Sequence, residues 1–509
     1  MPRKIARAVE LVALGKEFAA VRRRSRAPTD AGKQRIVERL IRLHGLPQKI
    51  GQILSLTELR SDAPAFTRLV ETPPQLSAAR SFAEIDRALG RPWQDCFRSL
   101  DPRGVGASLA QVHRGILHDG REVAVKIQYH GIAETLDLDL KALGWLTAPI
   151  GGLRRGFDLA GYRREVGEML RLELDYRHEA EMLRRFRAHV ASLENIRVPE
   201  VIDGYSGDRI LTMTWIEGVP FSEARQWTLE ERTHLAGALV TLFFSSIFSA
   251  GMVHADPHPG NYRFDRAPKH PAVGLLDFGC VKMLGSTIVA ALHALIDDAI
   301  DGRLRGSAER ARARFESLGF NPLLLEPMQH RLPELCEILF APLLADRPFD
   351  MNAWRLGARA EQSLGEFRWN LRMAGPPALI YFMRAYQGLV QYLSALAAPA
   401  NWRAAYERAA GSPPEEPCPE ASPLVALAAK SRSLRIRVTR SGRTKAELTF
   451  PAAAAENLPD LIPPEVEPRL AARHIDVAGI SRSLIERGFP PGELFALEEG
   501  RDDFRVWLE

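Results

Sequence analysis

Residues 254–261 read His-Ala-Asp-Pro-His-Pro-Gly-Asn, and residues 275–279 read Leu-Leu-Asp-Phe-Gly. These two stretches decide the reading of the fold. Asp256 and Asn261 stand five residues apart. The first offers a carboxylate to an attacking hydroxyl or water, and the second a neutral amide oxygen to a metal. Phosphoryl transfer uses both at that interval. Pro257 and Pro259 stiffen the loop between them, and Gly260 permits an unusual backbone angle beside Asn261. Asp277 ends a short apolar strand 21 residues after Asp256, a separation that suits a hairpin return. A carboxylate so placed can bind Mg²⁺ beneath nucleotide phosphates. Asp-Phe-Gly alone is a common tripeptide; in this order, after Asp256 and Asn261, it is specific.

Upstream, Ala110–Ile116 and Glu122–Gln128 are apolar-rich runs joined through His118-Asp119-Gly120. An Asp-Gly pair between such runs signals a hairpin. Lys126 lies on its second arm, in Val-Ala-Val-Lys-Ile, where an ammonium can reach the α- and β-phosphates. The preceding loop begins with Gly104 and Gly106 like a glycine-rich phosphate loop, but has Leu109 where a third glycine would stand. Ala107 and Ser108 supply small side chains in place of flexibility. No GxxxxGK[ST] sequence occurs, which excludes a P-loop ATPase.

Two further stretches are Lys49-Ile-Gly-Gln52 and Glu173-Leu-Asp175. On a helix, Lys49 and Gln52 share a face, and so do Asp175 and Glu179. Together with the loop at 106–113, the Lys126 strand and the two stretches quoted first, these motifs resemble the UbiB/AarF-type atypical kinases, the protein-kinase-like family linked to coenzyme Q. The resemblance covers roughly residues 40–400. It implies that 49–52 is the family's KxGQ signature, 173–175 its ExD signature and 106–113 its alanine-rich loop. It implies that Glu179 pairs with Lys126 while Glu173 and Asp175 meet the KxGQ segment. It also implies that the KxGQ segment covers the place of a protein substrate, so that ATP binding with slow ATPase activity is the family expectation. Val105 and Gly106 depart from the family's alanine run.

The fold expected is α+β: an atypical two-lobed protein-kinase-like fold with a helical N-terminal extension and a small C-terminal α+β module. The divisions are 1–80 for the basic extension, 81–220 for the N-lobe, 221–397 for the helical C-lobe, 398–431 for a Pro-rich linker and 432–509 for the module. Helix is expected across 161–190, and a strand pair at Val198–Ile202 and Arg209–Trp215. The module reads as alternating strands around Leu434–Val438, Ala446–Phe450 and Phe504–Leu508.

Composition is that of an ordinary globular chain, 46% hydrophobic and 26% charged over 509 residues. The net charge is +5, yet residues 1–50 hold thirteen Lys/Arg against four Asp/Glu, so the remainder is slightly acidic. The basic arm suits peripheral contact with an anionic membrane surface. Four scattered cysteines form no CxxC pair and argue against a disulfide framework or a zinc site. A reducing, cytoplasmic compartment is expected, and no nucleic-acid partner. Leu235–Val253 is uncharged for 19 residues but runs directly into the His254 loop, so it reads as a buried core helix. The apolar run near Pro377–Ala398 is interrupted by Arg384 and Gln387 and is a poor membrane span.

The function read from these residues is a Mg²⁺·ATP-binding atypical kinase or ATPase supporting isoprenoid quinone or lipid metabolism. Lys126, Asp256 and Glu179 are the catalytic group. Asn261 and Asp277 are the metal ligands. Gly104, Gly106, Ala107, Ser108, Lys126, Lys49, Gln52, Glu173 and Asp175 line the nucleotide site. The alternative is a nucleotide-regulated scaffold recruiting lipid-pathway enzymes without useful phosphoryl transfer. A small-molecule phosphotransferase shares the Asp-Asn-Asp logic, but the KxGQ and ExD motifs count against it.

Overall fold

The computed structural model describes residues 76–509 except 107–108, 130–158, 267–269, 412–430, 432, 441–442, 453–454, 456–457, 463–466, 474 and 500–501. Lys49, Gln52, Ala107, Ser108, nearly all of the basic extension and most of the Pro-rich linker lie outside these residues.

From its start the chain forms α1 (Ala78–Leu89), β1 (Phe97–Leu100), β2 (Val105–Gly106), β3 (Ala110–Leu117), β4 (Glu122–Gln128), α2 (Leu159–Leu172), α3 (Tyr176–Val190), β5 (Ile196–Arg197) and β6 (Ile210–Thr214). An antiparallel sheet runs β1-β3-β4-β6, with β2 pairing on β3. The β3–β4 turn is the Asp-Gly turn read from the sequence. Gly120 has φ +90°, and Asp119 Oδ1 accepts the Arg121 N–H at 3.0 Å. Strand β4 is covered on both faces. Val123, Val125 and Ile127 pack with Ile85 of α1 and Phe97. The alternate residues, Ala124, Lys126 and Gln128, therefore face the other way, toward α3. Ala124 joins a cluster with Ala180 and Leu183 of α3.

Two expectations for this lobe need correction. Residues 161–190 are two helices, because the chain turns at 173–175 and Asp175 caps α3, accepting the N–H groups of Arg177 and His178. Asp175 therefore stands at the cap, one turn before Glu179, and its carboxylate is turned to the helix end. Val198–Ile202 is no strand: β5 is Ile196–Arg197, and beyond it only Val201 bridges to Met213. Pro199, which cannot donate to a ladder, interrupts it.

The C-lobe opens with α4 (Leu229–Phe244), started by a reciprocal Thr228/Glu231 cap. The long uncharged run continues past it as a π turn, Ser245–Ser249, and then as β7 (Met252–His254). Among the described residues no helix is long and apolar enough to cross a membrane. Next come β8 (Tyr262–Asp265), β9 (Ala272–Leu275) and β10 (Val281–Met283). Strands β7 and β10 pair antiparallel, His254 opposite Val281; β8 and β9 pair antiparallel, Tyr262 opposite Leu275. These two registers bring loops 255–261 and 276–280 to the same end. Backbone bonds lock them side by side: Ala255 N–H to Cys280 O at 3.0 Å, and Leu276 N–H to Asn261 O at 2.9 Å.

Helices α5 (Ser286–Ile300), α6 (Ala308–Ser317), α7 (Ile380–Leu396) and α8 (Trp402–Ala410) are the C-lobe helices used below. The C-terminal module is a four-stranded antiparallel sheet of β11 (Ser433–Arg440), β12 (Arg443–Pro451), β13 (Gly492–Glu499) and β14 (Asp502–Leu508), in the order β12-β11-β14-β13. It includes helix α9 (Val477–Arg487). Strand β13 was not among the strands read from the sequence. The module shares one core with the C-lobe: Leu434, Phe450 and Val506 belong to the same apolar cluster as Leu292, Leu325 and Leu335. Asn370 Nδ2 donates to Thr449 O at 2.7 Å across that junction.

Asp298, at the end of α5, is fully buried and receives Arg303, Arg310 and Arg314, at 2.5, 2.7 and 2.8 Å. Burial alone would raise this carboxyl, but the three guanidinium groups outweigh it and hold the pKa down near about 2. A depressed carboxyl contributes stability that is present above its unfolded value and lost as pH falls through its folded value. Asp298→Asn is expected to lower stability by about 3 kcal/mol at pH 7. In urea denaturation the gap to wild type should close between about pH 4 and pH 2.

Candidate functional site

Lys126 projects from β4 toward α3 because of strand alternation, and Glu179 lies in the first turn of α3. Lys126 Nζ donates to Glu179 Oε1 at 2.8 Å and Oε2 at 2.9 Å. It also donates to Asp277 Oδ2 at 2.8 Å, reaching across to the C-lobe. Burial pulls the ammonium's pKa down, but Asp277 and Glu179 prevail and hold it well above its ordinary value. Two acids thus share one cation. Burial pushes the Glu179 carboxyl up to about 7, against the pull of Lys126. The Lys126 ammonium also lies 5.3 Å from the centre of the Tyr176 ring.

Asp277 Oδ1 accepts the Gly279 N–H at 3.0 Å, which fixes the turn of the Asp-Phe-Gly segment. Phe278 is fully buried against Phe186 of α3 and His254. His254 Nε2 lies 2.6 Å from the Asp277 carbonyl. A carbonyl can only accept, so this nitrogen carries the proton. Burial holds the imidazole's pKa below its ordinary value, so it is neutral near pH 7. His254 is thus a support for the loop. His258 caps the loop's own turn, its Nδ1 accepting the Gly260 N–H at 3.0 Å.

Asp256 and Asn261 meet directly: Asn261 Nδ2 donates to Asp256 Oδ2 at 2.9 Å. The Asn261 amide nitrogen is thereby committed, and its oxygen is the atom it can offer to a cation. Glu173 is buried against the Asp-Phe-Gly segment; a Cβ on Gly279 would lie 3.4 Å from its Cα. Asp175 is exposed and spends its carboxylate on the α3 cap. Gly104 is required by close packing, because a Cβ there would meet Gln111 Nε2 at 2.3 Å. Gly106 pairs with Gln111 at the β2–β3 turn. The structure therefore brings Lys126, Glu179, Asp277, Asp256 and Asn261 to the cleft between lobes, with Glu173 behind them and Gly104 and Gly106 on the N-lobe side.

Sequence reasoning missed the helix beneath this site. Arg384 of α7 is buried and its Nη2 donates to Asp256 Oδ1 at 3.2 Å. The available signal was a lone cation inside an apolar run, which needs a buried anion. One turn later, Gly388 receives the 255–261 loop: a Cβ there would lie 2.0 Å from Pro257 Cβ.

The donor set fits a nucleotide-bound Mg²⁺. The carboxylates of Glu179 and Asp277 both meet the Lys126 ammonium, and the Asp277 loop is bonded to the Asn261 loop through Leu276 N–H. Among the described residues no three His, Cys, Asp or Glu side chains group to hold a metal by themselves. An Asp–Asn pair is the donor set that Mg²⁺ accepts when phosphate oxygens complete its shell.

Comparison with known proteins follows the same line. The model of the ABC1 atypical kinase-like domain matches residues 68–309. Those residues are similar to that family. The UbiB/AarF resemblance read from the sequence is borne out, and so is the α+β, two-lobed kinase-like fold. The chain is 29% identical over 360 residues to the mitochondrial atypical kinase coq-8 of Caenorhabditis elegans, across 69% of this chain and 47% of that protein. It is 29% identical to COQ8B of Rattus norvegicus, across 69% of this chain and 67% of that one. It is 26% identical to COQ8 of Saccharomyces cerevisiae, across 71% and 72%. The match thus spans about half the length of the nematode relative. Among solved structures, Rv3197 of Mycobacterium tuberculosis, in complex with erythromycin, aligns over 74% of this chain and 95% of that one at 26% identity, with a TM-score of 0.49.

Replacing Gly388 by Ala gains about 1 kcal/mol of helix propensity. The clash with the Pro257 ring, which has no flexible end to yield, costs more. Gly388→Ala is expected to lower stability by about 1–2 kcal/mol in chemical denaturation, reversing the sign that propensity alone gives.

Proposed function

We propose that this ABC1-type domain binds Mg²⁺·ATP and turns it over slowly, in support of isoprenoid quinone or lipid metabolism. The observation that carries the reading is the convergence of Lys126, Glu179, Asp277, Asp256 and Asn261 at one cleft, each bonded to another member. In this reading Lys126 leaves Asp277 to hold the α- and β-phosphates, while Glu179 keeps it aimed. Asp277 and Asn261 would hold Mg²⁺, which would supply positive charge to offset the negative charge of the phosphates. Asp256 orients the attacking hydroxyl or water. Gly104 and Gly106 are the described residues of the loop assigned to the phosphates. Glu173 sits behind the Asp-Phe-Gly turn and supports it from the N-lobe side. The names of the relatives support a mitochondrial-type quinone role by likeness. The basic N-terminal arm supports contact with an anionic membrane surface.

Titration of a fluorescent ATP analogue with Mg²⁺, followed by ATP turnover with and without cardiolipin-containing vesicles, tests the reading. Asp277→Asn is expected to weaken Mg²⁺-dependent binding at least about tenfold. Asp256→Asn is expected to lower turnover by about a hundredfold or more. Equal Mg²⁺·ATP binding by wild type and Asp277→Asn would remove the metal assignment. Binding without turnover under every condition would make the protein a nucleotide-regulated scaffold instead.

A further inference from the structure

We propose that Arg384 is a positioning residue for the metal–nucleotide site, acting through Asp256 on Asn261. This rests on the nucleotide reading given above. Among the described residues, Asp256 Oδ1 takes Arg384 Nη2 at 3.2 Å, and Oδ2 takes Asn261 Nδ2 at 2.9 Å. Asn261 Nδ2 also lies 3.3 Å from the Asp256 backbone oxygen. Holding Oδ1 fixes the rotation of the carboxylate, and that rotation decides where Oδ2 holds the amide. With its nitrogen so held, Asn261 turns its oxygen to the side where a cation would sit. Arg384 makes no bond to Lys126, Glu179 or Asp277, so its influence passes through the one carboxylate.

The surroundings of Arg384 favour this role over that of a plain structural ion pair. The residue is 2% exposed, on a helix whose neighbouring positions are mainly apolar. Its Nε–H has no partner among the described residues, a cost of about 1–3 kcal/mol that simple packing would avoid. An apolar side chain of similar volume would stabilise such a helix as well or better. The guanidinium also bridges elements. Nη1 lies 2.8 Å from the Met169 sulfur on α2, the helix that leads into Glu173 behind the Asp-Phe-Gly turn. Gly388, one turn along α7, receives Pro257. One face of α7 therefore seats residues 256 and 257 together, and the Arg384 geometry holds only while α2 is docked.

The experiment compares nucleotide affinity with and without metal for wild type, Arg384→Met, Arg384→Lys, Asn261→Ala and the Arg384→Met/Asn261→Ala double variant, using a fluorescent ADP analogue with Mg²⁺ or EDTA. Arg384→Met is expected to weaken Mg²⁺-dependent binding about tenfold and leave metal-free binding within about twofold. Arg384→Lys should recover most of the loss. In the Asn261→Ala background, Arg384→Met should add less than about twofold, because the two act on one atom. Thermal unfolding of every variant separates loss of fold from loss of position, and Arg384→Gln, which removes the charge but keeps a polar side chain, carries the comparison if Arg384→Met does not fold. If Arg384→Met (or, where it does not fold, Arg384→Gln) keeps wild-type Mg²⁺-dependent affinity, the proposal fails while the nucleotide reading stands. An equal loss with and without metal, or full additivity with Asn261→Ala, also overturns it. If wild type shows no Mg²⁺-dependent nucleotide binding, both fall together.

Discussion

The Lys126 ammonium lies between Glu179 on α3 and Asp277 at the end of β9, and so ties the N-lobe to the C-lobe through a single nitrogen. Taking these charges out of water is expensive, and their attraction repays it only with good geometry. The rest of the molecule supplies that geometry. Strand alternation aims Lys126 at α3, the Asp175 cap starts that helix in place, and the Gly279 N–H fixes the Asp277 carboxylate. Two acids thus converge on one base, one from each lobe.

How much of this was legible depends on whether the cause was local. The β3–β4 hairpin is written in Asp119-Gly120 and the period-two pattern around it, so Lys126 could be placed on a strand. The Asp256–Asn261 and Asp277 loops carry their own turn chemistry and spacing. The break between α2 and α3 was harder. Leu172–Asp175 has no Gly or Pro, and Asp175 reads equally well as a helical acid or as a cap. Arg384 could be noticed but not assigned, since nothing near it in sequence names Asp256, 128 residues away. Strand β13 escaped because Glu493, Glu498 and Glu499 dilute its apolar alternation; only pairing with β14 makes it a strand.

The relation of the C-terminal module to the C-lobe belongs to the same class of non-local facts. Its alternating strands announced an apolar face, but not what would cover it. The structure covers it with the α5–α6 side of the C-lobe, and Asn370 bridges the two through the Thr449 carbonyl. A shared interior of this kind makes the two parts cooperative, since neither buries its apolar face alone.

That shared interior has a consequence during synthesis. Leu292 and Leu335 are made long before Val506 and Leu508, yet all four end in one cluster. Domains ordinarily fold as they emerge, N-terminal first. Here the α5–α6 side must wait with its apolar surface uncovered until the last strand is available. The Lys126–Asp277 cluster, whose own core is built from earlier residues, can form first, so the chain holds an assembled candidate site beside an unfinished lobe while it is still being made.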